Sequence, residues 1–96
     1  MNYTDTDTVV FWGEIEGVPK KGECWKWNGE TYEGSRIAKH YFAGRFRSAA
    51  WVAWWLTTGT RPYGKFVMNN CETLCVNPHH SLLADPPPNH HYAYTL

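Results

Sequence analysis

Ninety-six residues make one domain at most, and that is little chain with which to build a self-sufficient core. An apolar share of 43% with six tryptophans argues against disorder, and a net charge of zero falls short of the basic excess of a typical autonomous DNA-binding domain. Three cysteines, an odd number, argue against a closed disulfide framework and for a reducing compartment.

The opening MNYTDTDTVV has neither the basic start nor the apolar run of a secretory signal. The longest apolar stretch, AAWVAWWL, is eight residues, far short of a membrane span. The expectation is a soluble, cytoplasmic protein with no membrane partner. Residues 1–8 are polar and are expected to be loose. TVVFW, residues 8–12, fits a short strand or the start of a helix equally well. GVPKKGE is a loop, and residues 1–22 form an N-terminal segment ahead of a domain spanning 23–96, in one compact unit overall.

CWKWNGE puts Trp25 and Trp27 on one face and Lys26 on the other, the alternation of a strand, and closes on an Asn-Gly turn. RIAKHYFAGRFR is rich in β-formers and broken at Gly44, which predicts two strands or a bent hairpin. Within it Arg45 and Arg47 share one face and Phe46 takes the other. The period then changes. Trp51, Trp54 and Trp55 fall at helical spacing between Ser48, a candidate N-cap, and Gly59, a C-terminal stop, so a short helix with a Trp stripe in the core is expected. TRPYG is a turn and KFVMN a strand. NPHHSLL starts a helical turn with Pro78 at its first position, and ADPPPN ends it, with Asp85 a candidate cap for one more turn. The tail HHYAYTL has no readable preference.

Charge is unevenly spread. Before residue 35 acids outnumber bases, whereas Arg36, Lys39, Arg45, Arg47, Arg61 and Lys65 follow with no acid among them. These six are the candidates for a basic face that contacts nucleic-acid phosphates; a solvated sheet surface is the alternative.

The densest chemistry lies in CETLCVNPHH, residues 71–80. Zinc takes four sulfur or nitrogen ligands at tetrahedral corners. Cys71, Cys75 and His80 supply three within ten residues, with His79 as rival to His80. Cys24, at the start of the Trp-rich strand, supplies a fourth. Three thiolates and one imidazole close the site, so the ion would be structural, a staple on the scale of a small domain's whole stability. The competing reading is three buried free thiols in an aromatic core.

Taken together, CWKWNG, GRFRSAAWVAWWLTTG and CVNPHH resemble the small HNH, or His-Me finger, endonucleases common in phage genomes, and the related His-Cys box homing endonucleases, over residues 23–89. The resemblance implies an α+β fold: a small ββα-metal domain with an N-terminal antiparallel β-sheet, a short Trp-rich helix and a structural zinc knuckle. It implies zinc on Cys24, Cys71, Cys75 and His80, and a catalytic divalent ion, Mg or Mn, on Asn89. It also places the general base at Asn69. An amide has lone pairs but no useful basicity, so Asn69 can orient a water and cannot take its proton. His90 and His91, beside Asn89, are the substitute bases. The residue before the base is Met68, which cannot hold a hard cation. Ala49, Ala50 and Trp51 stand where relatives often have Ala-His-Arg, the first knuckle gap is one residue shorter than the usual four, and three prolines enter the metal-holding helix.

The expectation is therefore a zinc-binding, HNH-endonuclease-like protein that contacts DNA, with cleavage impaired or lost. The runner-up is a dead nuclease fold acting as a protein-binding inhibitor of a host or defence protein.

Overall fold

The computed structural model describes residues 3–16, 22–34, 37–69, 71 and 74–85. The chain opens with helix α1, Asp5–Gly13. Its start overturns the expectation of a loose N-terminus. The Thr4 hydroxyl accepts from the Asp7 amide at 3.1 Å, and the Asp7 carboxylate accepts from the Thr4 amide at 2.9 Å. This reciprocal cap satisfies two orphan donors, and Asp5 and Asp7 face the positive helix end. Phe11 is the helix's buried anchor, while Val9 and Val10 stay exposed.

Strands β1, Ile15–Glu16, and β2, Lys26–Trp27, pair antiparallel, with Ile15 opposite Trp27. Trp25 and Trp27 are buried and Lys26 is exposed, the expected alternation. The Asn28-Gly29 pair does not close a hairpin, since β2 pairs with the chain before it. Gly29 instead lets the backbone pass over the indole: a Cβ there would meet the Trp27 ring at 2.7 Å.

Strands β3, Lys39–Phe42, and β4, Arg45–Ser48, form a hairpin through Ala43 and Gly44. Both loop residues have positive φ, 51° and 90°, as a type I′ turn requires. Helix α2, Ala49–Thr58, follows at once. The Ser48 hydroxyl caps its N-terminus, and Gly59 at φ 78° ends it by accepting the left-handed conformation, donating to the Trp55 carbonyl. Strand β5, Phe66–Asn69, pairs with β6, Ser81–Ala84, which directly follows a 3₁₀ turn, Pro78–His80.

The Pro78 turn forms as expected, but the chain then extends into β6 rather than coiling further. Leu82 and Leu83 find partners in Met68 and Val67, a nonlocal gain that local propensity does not reveal. Among the described residues the architecture is a small mixed α/β arrangement of two helices and three two-stranded antiparallel sheets. Among the described residues the cysteine knuckle is followed by the 3₁₀ turn and a strand.

The core is aromatic. Phe11 meets Trp27 at 5.6 Å and Phe42 at 6.0 Å between ring centroids; Phe42 meets Trp55 at 5.6 Å, and Trp55 meets Trp51 at 5.8 Å. Tilted and edge-on contacts of this kind add to the burial of large apolar area. The polar tips are satisfied too: Trp27 Nε1 donates to the Glu30 carbonyl at 2.7 Å and Trp51 Nε1 to the Pro62 carbonyl at 2.9 Å. Phe11 belongs to this same core, so residues ahead of 23 pack into it.

Candidate metal centre

Cys24 and the knuckle are brought together by backbone pairing. The Trp27 amide donates to the Leu74 carbonyl at 2.9 Å, the Val76 amide to the Trp25 carbonyl at 2.9 Å, and Lys26 lies opposite Cys75. A short antiparallel ladder thus holds the strand after Cys24 against the segment carrying Cys75.

Asn77 locks the corner. Its side-chain amide donates to the Glu23 carbonyl at 2.7 Å, and its Oδ1 accepts from the His79 amide at 2.8 Å. Its own carbonyl accepts from the His80 amide at 3.0 Å and from the Ser81 hydroxyl at 2.8 Å. Fully buried, Asn77 ties the residue before Cys24 to the turn that presents His80. The sequence reading passed over this residue. Its signal was the Asn-Pro pair, in which Asn caps a turn that Pro begins.

The result is a cluster in which one donor atom from each of Cys24, Cys71, Cys75 and His80 lies within 4.8 Å of the others. His80 Nδ1 stands 3.7 Å from the Cys24 sulfur, 3.7 Å from Cys71 and 3.8 Å from Cys75. A tetrahedral ion with zinc's bond lengths would separate sulfur from nitrogen by about 3.6 Å. The observed spacing fits one ion at the centre, with Nδ1 as the ligating nitrogen and all four corners filled by protein. The rival His79 points elsewhere: it is exposed, edge-on to Trp25 at 6.4 Å.

Without a cation the thiols keep their protons. Burial first, then hydrogen bonds with Cys24 and Cys75, push the Cys71 thiol up to about 12. Burial likewise raises Cys75, although backbone hydrogen bonds from Asn77 and Trp25 pull it down. Three sulfurs this close cannot ionise together unless a cation sits among them, and a divalent ion reverses the balance by binding the thiolates directly.

The other candidate residues fare differently. Asn69 ends β5 opposite Ser81. Asn89, His90 and His91 lie outside the described residues, as does Arg36. Arg45 and Arg47, expected on one face, meet different surroundings: Arg45 is exposed and Arg47 is buried. Arg47 is only 2% exposed, and donates from Nε to the Phe42 carbonyl at 2.7 Å and from Nη2 to the Ala43 carbonyl at 3.0 Å. That commitment removes it from the set of phosphate contacts. Phe46, expected opposite, is on the exposed side with Tyr41 at 5.3 Å. Lys39 pairs with Glu30 at 3.7 Å and lies over the Phe46 ring, and Lys65 pairs with Asp85. Arg45 remains exposed at the hairpin tip, and Arg61 is stacked among rings. Among the described residues, the other five bases therefore do not form one continuous basic face.

One residue with chemistry went unmarked in the sequence. His40, half-buried against Phe11 and Trp27, borders a shallow groove with Glu14, Glu30 and Tyr41. Burial lowers its pKa, opposed by the charges of Glu14, Asp7 and Glu30.

Among the described residues no helix is long and apolar enough to cross a membrane. No protein-family model, curated protein or solved structure matches the chain.

Proposed function

We propose that the chain is a zinc-stapled domain of the HNH type, of the kind phages encode, that binds nucleic acid without cutting it efficiently. The observation carrying this reading is the closed cluster of Cys24, Cys71, Cys75 and His80. Four protein donors leave no corner for water or substrate, which is the mark of a structural ion rather than a catalytic one. The thiolate-rich donor set favours zinc over magnesium or calcium, which prefer oxygen. The motifs around that cluster are the ones that resemble the endonuclease family, and they retain the scaffold residues.

The reaction residues are what the chain has given up. Asn69 in the general-base position holds no proton-accepting group of useful basicity. A Mg or Mn ion on Asn89, with His90 or His91 as base, is the remaining route to cleavage. A plasmid-nicking assay with Mg²⁺ or Mn²⁺ tests this. The natural protein should leave supercoiled plasmid intact, and Asn69→His should restore some nicking. Efficient cutting by the natural protein would overturn the assignment of a lost base.

A second reading, a protein-binding inhibitor of a host or defence protein, is favoured by one specific feature. Met68 and Leu82 are paired across β5 and β6, yet remain 47% and 70% exposed. Such an apolar patch suits a protein partner. Salt separates the two readings: nucleic-acid binding should weaken steeply between low and physiological salt, and affinity that is flat over that range would favour the protein partner.

A further inference from the structure

Arg61 is an anomaly in the charge map. Its guanidinium lies 4.5 Å from the Trp55 ring centroid, 4.5 Å from that of Tyr63 and 5.6 Å from that of Trp51. Its Nε is buried with no acceptor, and among the described residues no carboxylate reaches it. Ring faces attract a cation, but they leave its in-plane N–H donors unused. Withdrawing the Nε donor from water without an acceptor is costly, so the arrangement is incomplete as it stands, and the Nη edge is the part left to meet a ligand.

The surroundings point to the sign of what is missing. Arg47 lies over the opposite neighbour, Trp51, at 5.3 Å. Burial, and next the charges of Arg61 and Arg45, hold the Arg47 guanidinium below its usual value. Arg47 and Arg61 thus share the Trp51 ring, two guanidiniums on one indole. Meanwhile Tyr63, whose ring receives Arg61, is 67% exposed.

We propose that Arg61 is an oxyanion site for a phosphate group, with Arg47 beside it on the Trp51 ring. On the nucleic-acid reading above, on which this identification of the ligand rests, the group is a backbone phosphodiester, with the neighbouring base on the Tyr63 ring. The chemistry fits at each point. A guanidinium clamped by rings has little rotamer freedom left to lose, and its planar fork matches two phosphate oxygens. An exposed tyrosine face offers base stacking that is indifferent to sequence, the usual companion of backbone binding on single strands. The site also separates two of the sequence's basic candidates: Arg61 carries the contact, whereas Arg47 is committed to carbonyls inside.

The test uses the zinc-loaded full chain. The Arg61 Nε–H resonance and the tryptophan fluorescence are followed while inorganic phosphate, and separately an oligothymidylate of about ten nucleotides, is added; that length suits one small single-strand site. Both ligands should shift the Arg61 resonance. Arg61→Gln should weaken oligonucleotide binding by about tenfold or more, and lower the salt slope by about 0.7 to 1. Arg61→Lys, which keeps charge and loses the fork, should recover the slope but not the affinity. Zinc content and near-ultraviolet dichroism report whether each variant is folded, and the resonance shifts in the natural protein do not depend on any variant. A shift with inorganic phosphate but none with the oligonucleotide would keep the anion site and remove the nucleic-acid reading. Oligonucleotide binding that leaves the Arg61 resonance unmoved, or that Arg61→Gln does not weaken, would overturn the site while the broader reading stands. No shift with either ligand overturns the site outright.

Discussion

Replacing Asn77 by alanine should loosen the metal centre without touching any ligand. The side chain makes two hydrogen bonds from a fully buried position, one to the Glu23 carbonyl at 2.7 Å and one from the His79 amide at 2.8 Å. Each partner loses its match, and a buried group left unmatched costs about 1–3 kcal/mol. Glu23 and His79 are both exposed and their backbone groups can turn to water, which sets each share near the low end. The sum is about 2 kcal/mol, which for a domain of this size lowers Tm by roughly 8–16 °C. Because the same bonds hold Cys24's segment against the turn bearing His80, zinc affinity should fall by about 10–100-fold, as when a partner behind the ligands is lost. Thermal denaturation of the zinc-saturated protein and competition with a chromogenic chelator measure the two effects. Asn77→Asp keeps the acceptor for His79 but turns an oxygen toward the Glu23 carbonyl, and should be no better than alanine. If Asn77→Ala melts within a few degrees of the natural protein and holds zinc as tightly, the keystone role is wrong.

Arg47→Lys should destabilise by about 2–3 kcal/mol, since an ammonium cannot serve both the Phe42 and Ala43 carbonyls while lying over Trp51; denaturant unfolding reads this, and a change within 0.5 kcal/mol would contradict the buried fork. Gly59→Ala meets no steric obstacle but must adopt φ 78°, so it should cost about 1 kcal/mol, or about 4–8 °C in Tm. His40 has a folded pKa below its unfolded value of 6.5. The unfolded chain therefore takes up the proton first, and stability is full above the unfolded pKa and falls as pH drops from there through the folded pKa. His40→Gln should flatten that slope in unfolding measured between about pH 7 and pH 5 at saturating zinc; an unchanged slope would remove His40 as its source.

The parts of the fold that were legible are those whose determinants are local. Helix α2 follows from Ser48, the spacing of Trp51 and Trp55, and Gly59, all within twelve residues. Cys71, Cys75 and His80 are near neighbours in the chain, and only Cys24 had to be brought from afar. Alternation put Arg45 and Arg47 on one face but could not tell that Arg47 alone is buried. Arg47 goes in because the turn at Ala43 offers it carbonyl acceptors, and Phe46 goes out. Residues 8–12 stayed open between strand and helix, and the start of helix α1 was missed because its cap, Thr4 with Asp7, uses an aspartate where glutamate is the familiar partner. Strand β6 was missed because its partner, β5, is nonlocal. Asn77 was missed because a single buried amide leaves no periodic trace.

The central claim is that one tetrahedral ion joins the segment at Cys24 to the knuckle. Zinc-edge X-ray absorption on protein purified without chelators tests it most directly. The account predicts one zinc per chain in a shell of three sulfurs at about 2.3 Å and one nitrogen at about 2.0–2.1 Å. A chain that holds no zinc, or a shell with an open corner filled by water oxygen, would contradict it.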